Sequence, residues 1–155
     1  MIIRRAEKKD IEGIMALLSQ VLEVHAKIRP DIFLPNTTKY TESELAELLA
    51  DGSRRAFVAE ENGRIIGHIF CEIQEQPKAA NIVQFTSLYI DDLCVDKSAR
   101  GGHIGKLLFE RARQEAERLG CYELTLNVWE GNDGARAFYD KMGMKPKETQ
   151  MELIL

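Results

Sequence analysis

The stretch Tyr89–Phe109 reads Y-I-D-D-L-C-V-D-K-S-A-R-G-G-H-I-G-K-L-L-F. An extended run from Gln84 to Val95 passes into a loop carrying Arg100, Gly101, Gly102 and Gly105. That loop opens a long amphipathic helix marked by Ile104, Leu107, Leu108, Ala112, Ala116 and Leu119, with Gly120 in the usual place after a helix end. Glycines between strand and helix let backbone N–H groups approach an anion, and the helix N-terminus adds partial positive charge. Arg100 and Lys106 supply full charges, so the segment has the physics of a pyrophosphate cradle. A plain glycine-rich turn explains these residues equally well. Two other phosphate loops are excluded: G-x-G-x-x-G is absent, and Leu107 follows Gly105-Lys106 where a P-loop needs Ser or Thr.

Working outward, Ile2–Arg5 reads as a short strand, and Ile11, Ile14, Leu18, Val21 and Leu22 outline one face of a helix. Arg29-Pro30-Asp31 ends it, because a residue before proline avoids helical geometry. Thr41-Glu42-Ser43-Glu44 has the form of a capping box ahead of Leu45, Leu48 and Leu49. Ala56–Glu60 and Ile65–Ile73 flank Asn62-Gly63, a hairpin signal. Tyr122–Val128 alternates as a strand, and Ala135, Phe138, Tyr139 and Met142 share a face of a last helix that Gly143 ends. Met151–Leu155 is expected to add a final strand. The fold class is therefore α/β (α+β): about four helices on a mixed, largely antiparallel sheet, in one domain over residues 1–155.

Composition narrows the function. The chain has 155 residues, 45% hydrophobic and 30% charged, as a globular domain does. Its 21 Lys+Arg against 25 Asp+Glu give a net charge of −4, which argues against nucleic acid as a partner. The longest uncharged stretch, Ala79–Ile90, is too short to span a bilayer, so no membrane partner is expected. The start reaches charge at Arg4 without an apolar region, so no secretory signal is expected. Cys71, Cys94 and Cys121 lack C-x-x-C spacing and fit reduced thiols in a cytoplasmic protein. His25, His68 and His103 lie far apart, and no metal is expected.

The central segment resembles the acetyl-CoA-binding motif of the Gcn5-related N-acetyltransferase superfamily, [Q/R]-x-x-G-x-[G/A] after a hydrophobic strand. Arg100 and Gly105 match its ends, while His103 stands where glycine is usual. A second signature agrees: Asn132-Asp133-Gly134-Ala135-Arg136-Ala137-Phe138-Tyr139 followed by Gly143-Met144 resembles N-x-x-A-x-x-F-Y…G-[F/M]. Local similarity to polyamine (diamine) N-acetyltransferases surrounds Y-I-D-D-L-C-V and N-D-G-A-R-A-F-Y.

The resemblance implies an acyl-CoA N-acyltransferase fold in which the fourth and fifth strands splay apart. Leu93, Cys94 and Val95 would then pair with the pantetheine arm of acetyl-CoA, and an N–H near Val95 would face the oxyanion. Arg100, Gly101, Gly102, His103, Ile104, Gly105 and Lys106 would hold the pyrophosphate, with Asn132 and Ala135 on the other side. The reaction implied is direct acetyl transfer to a primary amine of a small molecule or peptide. An amine of pKa about 10 must first lose a proton. Asp91 is the first candidate base, with Asp92 and Glu130 as further carboxylates; a bulge would decide which way Asp92 faces.

Tyr139 matches the family's usual acid for the departing thiolate, although it also belongs to the apolar stripe of its helix. Cys94 reads as a small strand residue, since no covalent intermediate is needed. Trp129 and Glu130 would line the acceptor cleft, and so would His25 to Phe33, where loop punctuation explains the residues equally well. A homodimer through Met151–Leu155 fits the family. The alternative function is a non-catalytic acyl-CoA-binding or regulatory module on the same fold.

Overall fold

The computed structural model describes residues 1–155. Five strands, β1 (Ile2–Arg5), β2 (Arg54–Glu61), β3 (Arg64–Glu75), β4 (Thr86–Val95) and β5 (Glu123–Leu126), lie side by side in chain order. The first three neighbouring pairs are antiparallel, and β5 joins β4 in parallel. The helices are α1 (Ile11–Ile28), α2 (Glu42–Ala50), α3 (Ile104–Arg118) and α4 (Asp133–Lys141). No helix is long and apolar enough to cross a membrane.

Period-2 alternation in β2 divides the core between the two faces of the sheet. Val58 and Ala56 pack with Phe70 against Ile14 and Leu18 of α1 and Leu45 and Leu48 of α2. Phe57 and Ala59 turn the other way, joining Ile69, Cys71, Leu88 and Ile90 against Leu108, Phe109 and Ala112 of α3. Phe57 and Phe70 are fully buried, each contributing roughly 1.5–3 kcal/mol through apolar area removed from water.

Local chemistry sets the ends of the elements. Thr41 and Glu44 form the expected reciprocal capping box of α2. Asn62 (φ 51°) and Gly63 (φ 77°) turn the hairpin in left-handed conformations that these residues adopt readily. Gly120 (φ 71°) follows α3, where its N–H donates to Glu117 O and the Cys121 N–H to Ala116 O, satisfying carbonyls of the last turn.

One short element is additional to the expectations, and two expectations change. A 3-10 turn, Lys8–Asp10, precedes α1. The strand expected over Tyr122–Val128 shortens to Glu123–Leu126. Met151–Leu155 forms no strand, and Met151 and Leu153 are each 85% exposed. Side chains hold this tail instead: Lys147 Nζ reaches Glu123 at 2.6 Å and Arg29 Nη1 reaches Glu152 at 2.7 Å. Apolar residues in a row make a strand only where a ladder partner exists, and here none is paired to them.

Candidate active site

A bulge in β4 creates the centre of the site. Phe70 of β3 faces Asp92, yet its neighbour Cys71 faces Ile90, so Asp91 is an extra residue with no partner. Both aspartates consequently meet groups on the face that carries α1 and α2. Beyond the bulge β4 also loses its other neighbour, because β5 pairs only with Ser87–Ile90. The predicted splay is therefore present. Asp96 N–H donates to Ile66 O of β3 at 2.9 Å, so by alternation the Leu93 and Val95 backbone groups face the gap left by β5. Arg100 Nε donates to Val95 O across 3.3 Å.

The loop after β4 opens onto α3 through Gly101 (φ 86°) and His103 (φ 60°, ψ 10°). His103 thus occupies the left-handed conformation that glycine favours, at a cost of about 1 kcal/mol. No side chain caps α3, so its first N–H groups point outward unpaired. Gly105 faces α4, where an added Cβ would lie 3.3 Å from Phe138 Cε2. Arg100 and Lys106 are exposed beside this cradle. Asn132 is the N-cap of α4, its Oδ1 accepting from Ala135 N–H at 3.3 Å. An unpaired strand edge ending at an uncapped helix N-terminus fits a ligand with an amide-bearing arm and a pyrophosphate.

Tyr139 packs against Phe138 and Phe109, ring centroids 5.1 and 6.3 Å apart, so it does belong to the apolar stripe. Burial pushes its phenol well above the usual range, and the charge of Asp92 adds to the effect. A phenol so placed stays protonated and can donate. Cys94 is buried with its thiol pushed up to about 12 by burial, which suits packing rather than nucleophilic attack.

The four acidic and basic candidates have different settings. Asp91 Oδ2 accepts from the Tyr40 hydroxyl, while Lys39 Nζ reaches Oδ1 at 2.9 Å and the Asp91 carbonyl at 2.8 Å. Asp92, 8% exposed, meets the fully buried His68 through Oδ2···Nε2 at 2.5 Å. Glu130 is exposed on the loop after β5. His25 is lowered by burial, opposed by the nearby Asp92 charge.

The segment after α1 closes on the loop after β5. His25 lies 5.1 Å from Phe33, which meets Trp129 edge-on at 5.4 Å, and Arg29 lies over the Trp129 ring. Arg29 also binds Asp31 and Glu152, which ties the carboxyl-terminal tail to this wall. His68, buried against Asp92, is a residue of the site that sequence reasoning did not single out. A lone histidine between Gly67 and Ile69 in an apolar strand was the available signal, but its partner lies 24 residues away.

A helix-flanked sheet with splayed β4 and β5 defines the class of acyl-transferring folds. Residues 19–144 match the Acetyltransferase (GNAT) family, and the chain belongs to that family. It is therefore an N-acetyltransferase. Among its relatives, a glucosamine 6-phosphate N-acetyltransferase of Trypanosoma brucei brucei is 33% identical over 118 residues, covering 72% of this chain and 76% of the relative. The peptidyl-lysine N-acetyltransferase YjaB of Salmonella typhimurium is 29% identical over 143 residues, covering 92% and 82%. A crystal structure of a mutant BH1408 protein from Bacillus halodurans superposes with a TM-score of 0.95 at 34% identity, covering 100% of this chain and 99% of that one.

Proposed function

We propose that the chain, as one domain over residues 1–155, transfers acetyl directly from acetyl-CoA to a primary amine of a small molecule or peptide. The observation that carries this is the unpaired edge of β4 at Leu93–Val95, which leads to the uncapped start of α3. In this reading Leu93 and Val95 pair with the pantetheine amides, Cys94 lies between them, and the Arg100–Lys106 loop receives the pyrophosphate. The start of α4 at Asn132–Ala135 flanks the donor. A Val95 N–H aimed at the gap polarises the thioester carbonyl. A β4 carboxylate, Asp91 or Asp92, removes the amine proton, and the Tyr139 hydroxyl protonates the departing thiolate.

The acceptor wall favours an amine without phosphate. Its cation, Arg29, already binds two carboxylates, and Lys39 is held by Asp91. A peptide lysine or a polyamine needs no further cation there. We also place the chain in a reducing compartment such as the cytoplasm, consistent with three free thiols. The exposed Met151, Leu153 and Ile154 favour a homodimer contact, which sedimentation of the chain with and without Leu153→Glu would test.

The test of function is release of CoA thiol from acetyl-CoA with separate pools of polyamines, amino acids, lysine peptides, aminoglycosides and glucosamine 6-phosphate. Turnover with one class is expected, and Tyr139→Phe lowers kcat about 100-fold or more, the order that a general acid contributes, with acetyl-CoA affinity retained. Acetyl-CoA binding without turnover in any pool would instead favour the non-catalytic module.

A further inference from the structure

We infer that Asp92, oriented by the buried His68, is the group that accepts the amine proton, and that Asp91 pins the loop between α1 and α2. This rests on the acetyl-transfer reading above and assigns a residue, His68, that the reading does not use.

The bulge gives the two carboxylates opposite surroundings. Both Asp91 oxygens are engaged, one by the Tyr40 hydroxyl and the other by Lys39 Nζ, and Arg54 Nη1 stands 3.8 Å away. Protonating that carboxylate would forfeit bonds from a phenol and an ammonium group. Its partners Lys39 and Tyr40 end the α1–α2 connection, so Asp91 holds that connection against the sheet. Asp92 has one oxygen engaged, by His68, while Oδ1 has no partner in the chain and is not sealed from solvent.

His68 determines which oxygen is free. Its ring has no exposure and stacks on Phe70 at 4.5 Å between centroids. Nδ1 is buried without a hydrogen-bond partner. A doubly protonated imidazolium would leave an N–H unsatisfied there, so the neutral tautomer with the proton on Nε2 fits the pocket. That N–H donates to Asp92 Oδ2 and leaves Oδ1 as the basic site. The surrounding groups are Cys94 on β4, His25 on α1, Tyr139 on α4 and the adjacent Asp91 with its Lys39. The full positive charges beside the pair, Lys39 and Arg54, both face Asp91.

The proton count closes. The acceptor ammonium gives one proton to Asp92 Oδ1, and the freed lone pair forms the N–C bond at the acetyl carbonyl. As the C–S bond breaks, the thiolate takes the Tyr139 proton, and the second proton lost from nitrogen restores the phenol. Asp92 then releases its proton to water, so one proton is released per acetyl transferred. His68 keeps its Nε2 proton throughout and acts as a positioning residue.

The test compares Asp92→Asn, Asp91→Asn, His68→Gln and His68→Leu with the unaltered chain, using spermidine and a lysine peptide as acceptors. Asp92→Asn should lower kcat about 100-fold or more with acetyl-CoA affinity kept, the order that a general base contributes. Asp91→Asn should chiefly raise the acceptor KM. His68→Gln, which keeps an amide donor, should retain more kcat than His68→Leu, and His68→Leu should displace the acid limb of the kcat/KM profile. A larger kcat loss in Asp91→Asn than in Asp92→Asn overturns the assignment.

Nitrogen NMR of the unaltered protein needs no variant to fold: a neutral His68 protonated at Nε2 at pH 7 supports the proposal, and an imidazolium refutes it. If the unaltered chain acetylates no amine, the acetyl-transfer reading fails and this one falls with it. If that chain turns over and only the variant order fails, this proposal alone is refuted.

Discussion

Replacing Glu115 by Gln should cost about 2 kcal/mol at pH 7, and the cost should fade in acid. Glu115 lies in α3 at 2% exposure, with Oε1 taking Arg55 Nε at 2.9 Å and Arg118 Nη2 at 2.7 Å. Arg118 Nε approaches Oε2 at 3.1 Å. The Arg118 hydrogen bonds are the largest influence on the carboxyl; they and the Arg55 bond outweigh burial and bring it from 4.5 to about 2. At about 1.4 kcal/mol per pH unit, that fall corresponds to about 3 kcal/mol. Arg118 is 63% exposed, so solvent screening trims the figure to about 2 kcal/mol.

Because the folded value lies below the unfolded one, the stabilisation is complete above about pH 4.5 and is lost as pH falls towards 2. Urea unfolding of both proteins at pH 7, 4.5 and 3 measures this directly. The stability gap should be at most about half its neutral value by pH 3. A gap that stays constant across this range would refute the electrostatic account and leave only altered packing. Since Arg55 fastens α3 to β2 far from the helix start, the variant should still bind acetyl-CoA when folded.

Other outcomes follow from the same geometry. Gly67→Ala places a Cβ 3.0 Å from Leu108 Cδ1 and 3.1 Å from the Cys94 carbonyl, so urea unfolding should show a loss of about 1–3 kcal/mol. An unchanged midpoint would mean that α3 and the β4 backbone at Cys94 both give way freely. Thr41→Ala removes the acceptor for Glu44 N–H and should cost about 1 kcal/mol in the same assay. Arg100→Ala and Lys106→Ala should raise the acetyl-CoA Kd most at low salt, read by calorimetry; salt-independent binding would count against the cradle.

Much of the architecture was legible because its signals are local. The Ile11–Leu22 spacing, the Thr41–Glu44 box and Asn62-Gly63 each determine their own segment within a few residues. Met151–Leu155 was misread for the complementary reason: a strand exists only through its partner, and apolar content does not supply one. The absence of the two nucleotide-loop motifs is likewise read from a few adjacent residues, such as Leu107 after Lys106.

The candidate site depends on register, which no local pattern determines. Alternation from Tyr89 to Val95 fixes a phase but does not say where one residue is inserted, and the bulge at Asp91 changes the phase in mid-strand. On a regular strand Asp91 and Asp92 would lie on opposite faces. With the bulge, both meet groups on one face, and the choice between them passes to residues distant in sequence: Lys39 and Tyr40 for one, His68 for the other. The Y-I-D-D segment therefore names two carboxylates, while the pairing of β3 with β4 gives one of them a free oxygen. A relative with the same two aspartates but an apolar residue at the His68 position should bind acetyl-CoA alike and differ in the pH dependence of transfer.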